Sequence, residues 1–117
     1  MCAMGWAEPS QARAAAVTAR PRAVCAVLRA EAREGVDKQF QSLLSDLAHR
    51  VRAEEIGCES YVVTRALGSS EHFVIHARFS DWASFEGHPD TPHFQRLMPR
   101  LNALLASPVA MEIYLEA

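Results

Sequence analysis

Hydrophobic positions along this chain recur with two periods, and the switches between them give an order of elements. From Arg22 to Arg29 the residues alternate, Val24, Ala26 and Leu28 on one face and Cys25, Val27 and Arg29 on the other, which predicts a strand with both faces at least partly covered. Glu34-Gly35 breaks the run. Asp37 to Glu54 then carries Phe40, Leu43, Leu44, Leu47 and Val51 at helical spacing, with Asp37 near the positive end of the helix dipole. Gly57 stops this helix. Glu59 to Leu67 is rich in β-branched and aromatic residues and predicts a second strand. Gly68-Ser69-Ser70 reads as a hairpin turn, so Glu71 to Phe79 returns antiparallel, with Phe73, Ile75, Ala77 and Phe79 opposite Val74, His76 and Arg78. After a short helical turn from Trp82 to Gly87, Thr91-Pro92 supplies a cap and a first helical residue. They open a second long helix with Phe94, Leu97, Met98, Leu101 and Leu105 inward. Pro99 is expected to kink it. Ser107-Pro108 ends the helix, and Val109 to Leu115 forms a closing strand.

Strand, helix, two strands, helix, strand is the βαββαβ order of a ferredoxin-like α+β sandwich, in which two crossovers build one antiparallel sheet. Helices cover one face of such a sheet. The other would carry Cys25, Val27, Val62, Val74, Ala110 and Tyr114, an apolar patch that a second copy packed sheet to sheet would bury. A homodimer is therefore expected, with His76, Arg78 and Glu112 either paired at its rim or on a solvated face.

The 117 residues, half of them hydrophobic, suit one domain, and the formal charge of -2 offers no electrostatic footprint for nucleic acid or an anionic membrane. Cys2, Cys25 and Cys58 lack metal-ligand spacing and read as reduced thiols, so neither a metal nor a disulfide is expected and the cytoplasm is the expected compartment. Residues 1–21, rich in Ala and Arg and broken by Pro9 and Pro21, lack core periodicity and read as a weakly ordered leader before a domain at 22–117.

Chemistry concentrates between Phe73 and Phe94, where a strand feeds a helix start at one rim of the sheet. Phe79, Trp82, Phe85 and Phe94 can form dry pocket walls, with His88, His93 and Tyr61 as polar candidates. Each also has a plain structural use. His88 beside Pro89 can close a loop, His93 can be a first-turn helix residue, Phe94 can be core, and Trp82 can be packing alone. His49 and His72 carry no assigned role.

The segments Gly57-Cys58-Glu59-Ser60-Tyr61, Phe73-Val74-Ile75, Phe85-Glu86-Gly87-His88 and Thr91-Pro92-His93-Phe94 resemble, in order and spacing, the antibiotic biosynthesis monooxygenase family. The resemblance implies a dimeric α/β barrel and, as one activity, cofactor-independent oxidation of a small aromatic or quinol substrate by O2. It places His88 at the family's first helix-motif histidine. Many members carry a glutamate on the third strand where this chain has Ala77, so the resemblance implies a His88 without its usual carboxylate neighbour. An ordinary phenol and an ordinary imidazole differ by roughly 3.5 pKa units, about 5 kcal/mol, which an unsupported base would bridge poorly. The alternatives are a non-catalytic small-molecule-binding dimer of the same fold, and a haem-degrading relative using His88 or His93 with Trp82.

Overall fold

The computed structural model describes residues 22–117, so the expected leader lies outside the described residues. Its four strands are β1 (Val24–Glu31), β2 (Cys58–Arg65), β3 (His72–Phe79) and β4 (Ala110–Leu115). Its helices are α1 (Asp37–Glu54), the short α2 (Trp82–Gly87) and α3 (Pro92–Ala103), with a 3-10 turn at His88–Asp90 between the last two. The sheet runs β2-β3-β1-β4 with every adjacent pair antiparallel. This is the expected ferredoxin-like α+β sandwich.

Side-chain alternation decides which face meets the helices. Val24, Ala26, Leu28 and Ala30 of β1 are buried, as are Phe73, Ile75, Ala77 and Phe79 of β3, and they meet Phe40, Leu43, Leu44, Leu47, Ala48 and Val51 of α1 in one core. The helical stripe read from the sequence is thus the buried stripe. Arg52 donates from Nη1 to the Tyr61 carbonyl at 2.7 Å, which ties the end of α1 to β2.

Several boundaries move for reasons that lie in tertiary structure. β1 spans Val24–Glu31 rather than Arg22 to Arg29, because its ladder to β3 runs from Val24↔Phe79 to Glu31↔His72. The hairpin is longer than the three residues Gly68-Ser69-Ser70, since β2 ends at Arg65 and β3 begins at His72. Ala66 N–H closes the wider loop on the His72 carbonyl at 2.9 Å. α3 ends at Ala103, short of Ser107-Pro108, because Leu105 pairs in an isolated bridge with Ala32. Pro99 lies inside α3.

One irregularity bears on the site. β2 slips its register against β3 between Cys58 and Ser60, so that Cys58 opposes Phe79 while Ser60 opposes Arg78 and Tyr61 opposes Ala77. A bulge of this kind breaks the period-two alternation locally. Cys58 therefore packs against the core and Tyr61, three residues later, is buried as well.

Candidate functional site

The chain between β3 and α3 is held by two caps. Asp81 accepts the Ser84 backbone N–H at 2.8 Å and starts α2, and Thr91 accepts the Phe94 N–H at 3.4 Å and starts α3. Thr91 Oγ1 also donates to the His88 carbonyl at 2.8 Å, so the 3-10 turn is fixed from both ends. These local bonds turn His88 inward, leaving it 2 % exposed. Its ring sits among Phe94, Phe79 and Tyr61, with centroids 4.8, 5.6 and 5.4 Å away.

His88 has a carboxylate neighbour after all, and it comes from elsewhere in the chain. Glu55, the residue that follows α1, accepts from His88 Nδ1 at 2.8 Å through Oε2 and lies 3.1 Å from it through Oε1. The same Oε2 accepts from His93 Nε2 at 2.5 Å. The expectation drawn from Ala77, that His88 lacks a carboxylate, is thus corrected. Ala77 is buried in the inward face of β3, and the acid that serves the ring approaches from the helix end instead.

The electrostatics follow from burial. The Glu55 side chain is only 9 % exposed, and its burial alone would push the carboxyl up, but hydrogen bonds and charge from His88, and then from His93, outweigh this and hold it below its ordinary value. A carboxylate that stays ionised fixes which nitrogen of His88 carries the proton. Nδ1–H donates to Glu55, which leaves Nε2 as an acceptor facing the Tyr61 hydroxyl at 3.4 Å. That contact is long for a hydrogen bond. The Tyr61 phenol is itself fully buried, and desolvation, reinforced by the charge of Glu55, raises it well above its ordinary value.

Tyr61 and His88 supply polar groups to a cavity of about 30 Å³ between the sheet and α1, α2 and α3, otherwise walled by apolar residues that include Phe79, Phe85, Phe94 and Met98. Of the sequence candidates, Phe79, Phe85, Phe94, Tyr61 and His88 therefore meet at one hollow. Trp82 is not in its wall; it packs on Phe85 with ring centroids 5.1 Å apart. His93 is also outside the wall, 3 % exposed and turned to Glu55. Arg78 points away to the outer sheet face, where it pairs with Glu59 at 2.6 Å and Glu116 at 3.1 Å.

Glu55 was the residue that sequence reasoning missed. It lies 33 positions from His88, beyond any local motif, yet the Glu54-Glu55 pair carries a signal of its own. Acidic residues at the negative end of a helix dipole oppose it, and such local conflicts mark places where something other than helix stability set the sequence.

Among the described residues no helix is long and apolar enough to cross a membrane. Comparison with curated proteins finds none that matches. Among solved structures, the chain is similar to a Caulobacter crescentus protein described as an antibiotic biosynthesis monooxygenase, with 18 % identity, 83 % of this chain and 92 % of that one covered, and a TM-score of 0.79. It is similar to Rv0793 from Mycobacterium tuberculosis at 22 % identity, with 81 % and 95 % covered and a TM-score of 0.75. PA3566 from Pseudomonas aeruginosa aligns at 24 % identity over 82 % and 95 %, also with a TM-score of 0.75. These likenesses speak to the fold. The sequence profile of the family described as antibiotic biosynthesis monooxygenase matches residues 23–100, most of the domain, and the chain belongs to that family.

Proposed function

We propose that this protein is a cofactor-independent monooxygenase that oxidises a small phenol or hydroquinone with O2, using His88 as the base. Family membership supports a monooxygenase or small-molecule-binding role. The observation that carries the finer reading is the Glu55–His88 pair at 2.8 Å, which leaves the acceptor nitrogen Nε2 facing the apolar cavity beside Tyr61. A phenol hydroxyl taking the place of the loosely held Tyr61 hydroxyl gives its proton to Nε2. Glu55 stabilises the imidazolium so formed, as a buried carboxylate does behind other catalytic histidines. The phenolate then supplies electrons to O2. A C–O bond forms at ring carbon to give a hydroperoxide, and loss of water leaves a quinone. One oxygen atom enters the product, the other leaves as water, and the sum is phenol plus O2 giving quinone plus water.

The cavity of about 30 Å³ accommodates dioxygen or a couple of waters, at roughly 10–15 Å³ each, and not an aromatic ring or a haem. A ring must therefore displace side chains on entry. Met98, half-buried in the wall, is the most adaptable of them.

We further propose that two copies pair through the outer sheet face. Val62 and Tyr114 are 49 % and 53 % exposed there, beside the half-buried Cys25, Val27 and Val74. None of the helices described covers that side. Arg78 with Glu59 and Glu116, and Arg29 with Glu112 at 3.2 Å, would form a polar rim.

The test is oxygen uptake by the purified protein with a panel of phenols and hydroquinones, corrected for autoxidation. The expected result is uptake with at least one member, a quinone product carrying one atom from labelled O2, and loss of uptake in His88→Ala. Substrates that bind to the wild type without any uptake would replace this reading with a binding-only role. Uptake unchanged in His88→Ala would remove His88 as the base.

A further inference from the structure

Glu55, His88 and His93 each offer one ligand atom, and these atoms all lie within 4.8 Å of one another in a buried setting. We propose that the three side chains form a binding site for a divalent first-row transition ion of the Zn²⁺ or Co²⁺ type. Two imidazoles and one carboxylate suit such ions, whereas Mg²⁺ and Ca²⁺ require oxygen donors throughout.

The outer atoms of both rings support the assignment. A ligating imidazole is normally steered by a partner on its other nitrogen. His93 Nδ1 lies 3.7 Å from Glu54 Oε1, and His88 Nε2 lies 3.4 Å from the Tyr61 hydroxyl. Without an ion, a neutral His93 that donates Nε2–H to Glu55 keeps Nδ1 as a bare acceptor set against a second carboxylate. It is buried with no hydrogen-bond partner among the described residues. Buried polar atoms in that condition call for an explanation. An ion on Nε2 moves the ring proton to Nδ1, where Glu54 can accept it. The conflict then becomes an outer-sphere contact of the kind that steers metal-bound histidines.

The geometry asks the three donors to adjust around the ion. A tetrahedral ion with bonds of about 2.1 Å spaces its donors about 3.4 Å apart. Donor atoms that stand as much as 4.8 Å apart must close toward that spacing, and the carboxylate, now 2.5 to 3.1 Å from the two nitrogens, must draw back to admit the ion. Glu55 is placed to do so, since it is past the end of α1 in extended conformation and the next residue, Ile56, is fully exposed. The ion site itself does not depend on the oxygenase reading. Only one consequence does: an ion on His88 Nδ1 puts the ring proton on Nε2, so a loaded protein cannot use that nitrogen as a base.

Full-length protein freed of metal with a chelator is titrated with Co²⁺, followed by its visible ligand-field bands, and then with Zn²⁺ by calorimetry. One equivalent should bind, Zn²⁺ should displace Co²⁺, and Mg²⁺ should do neither. Affinity should fall at least tenfold in His93→Gln and in Glu55→Gln, fall about tenfold in Glu54→Gln, and stay unchanged in the surface controls His72→Asn and His76→Asn. Absence of stoichiometric binding by the wild type, equal affinity in a folded His93→Gln, or loss in the surface controls would overturn the site. Should His93→Gln fail to fold, the imidazole nitrogen resonances of the wild type decide. They must show Zn²⁺ perturbing His88 Nδ1 and His93 Nε2, and unperturbed signals at saturation would equally overturn it. Inhibition of oxygen uptake by Zn²⁺ is read separately, so its absence counts against the base at His88 and not against the ion.

Discussion

Replacing Glu55 by alanine removes one acceptor from two buried donors, His88 Nδ1–H and His93 Nε2–H. A buried donor left unsatisfied costs about 1–3 kcal/mol, so the pair is worth about 2–6 kcal/mol, less whatever water entering the vacated space restores. In a domain of this size 1 kcal/mol shifts the melting midpoint by roughly 4–8 °C, which places the expected fall for Glu55→Ala at about 8 °C or more. Glu55→Gln keeps one acceptor oxygen but turns its amide donor toward the second ring, and should lose about 1–2 kcal/mol. The pH dependence has a definite sign. The folded carboxyl is held below its ordinary value of 4.5, so its contribution is complete above that pH and is lost as pH falls through the folded value. The Glu55 carboxylate's share of the wild-type advantage over Glu55→Gln should accordingly be complete above pH 4.5 and shrink below it. Thermal and urea unfolding of the three proteins, with chelator present throughout, measures it. A Glu55→Ala midpoint within about 3 °C of wild type, or an advantage that grows as pH falls below 4.5, would refute the carboxylate bridge.

Gly57 faces Ser84 so closely that an added Cβ would lie 2.0 Å from its Oγ and 2.5 Å from its Cβ, so Gly57→Ala should cost about 1–3 kcal/mol in thermal unfolding, with partial recovery when Ser84→Gly is added. Tyr114→Glu should convert a wild-type dimer to monomer or aggregate in size exclusion with light scattering; a wild type that is monomeric at micromolar concentration ends the sheet-to-sheet proposal. Deletion of residues 1–21 should leave the melting midpoint within about 5 °C, roughly 1 kcal/mol, if residues 22–117 fold on their own as we propose, and a larger fall would show that the domain begins earlier.

What could be read from the sequence was what periodicity controls. The stripe Phe40, Leu43, Leu44, Leu47 and Val51, and the inward set Phe73, Ile75, Ala77 and Phe79, are buried as expected, because a helix and a strand repeat their faces regardless of what they pack against. Thr91 and Pro92 marked the start of α3 through cap chemistry that is equally local. Element ends were less legible, since pairing partners far along the chain set them: Leu115 and Phe79 for the start of β1, Ala32 for the segment after α3. The histidines of the site were found by their neighbourhood, but its carboxylate was sought on β3, where the family resemblance pointed, and not at the end of α1. Only the folded chain brings Glu55 beside His88.

The register slip in β2 makes the link between α1 and Tyr61 asymmetric toward changes in length. Cys58 and Tyr61 both turn inward because the two residues between them occupy the place of one in the ladder. Loss of Glu59 would restore simple alternation with Tyr61 still facing His88, sacrificing the Arg78 pairing on the outer surface. Gain of one residue there would have no such refuge: the strand would either swell its bulge further or turn every later side chain over, carrying the phenol out of the core. Sequence drift in this segment is thus free to shorten the chain and penalised for lengthening it, a bias that no single substitution would reveal.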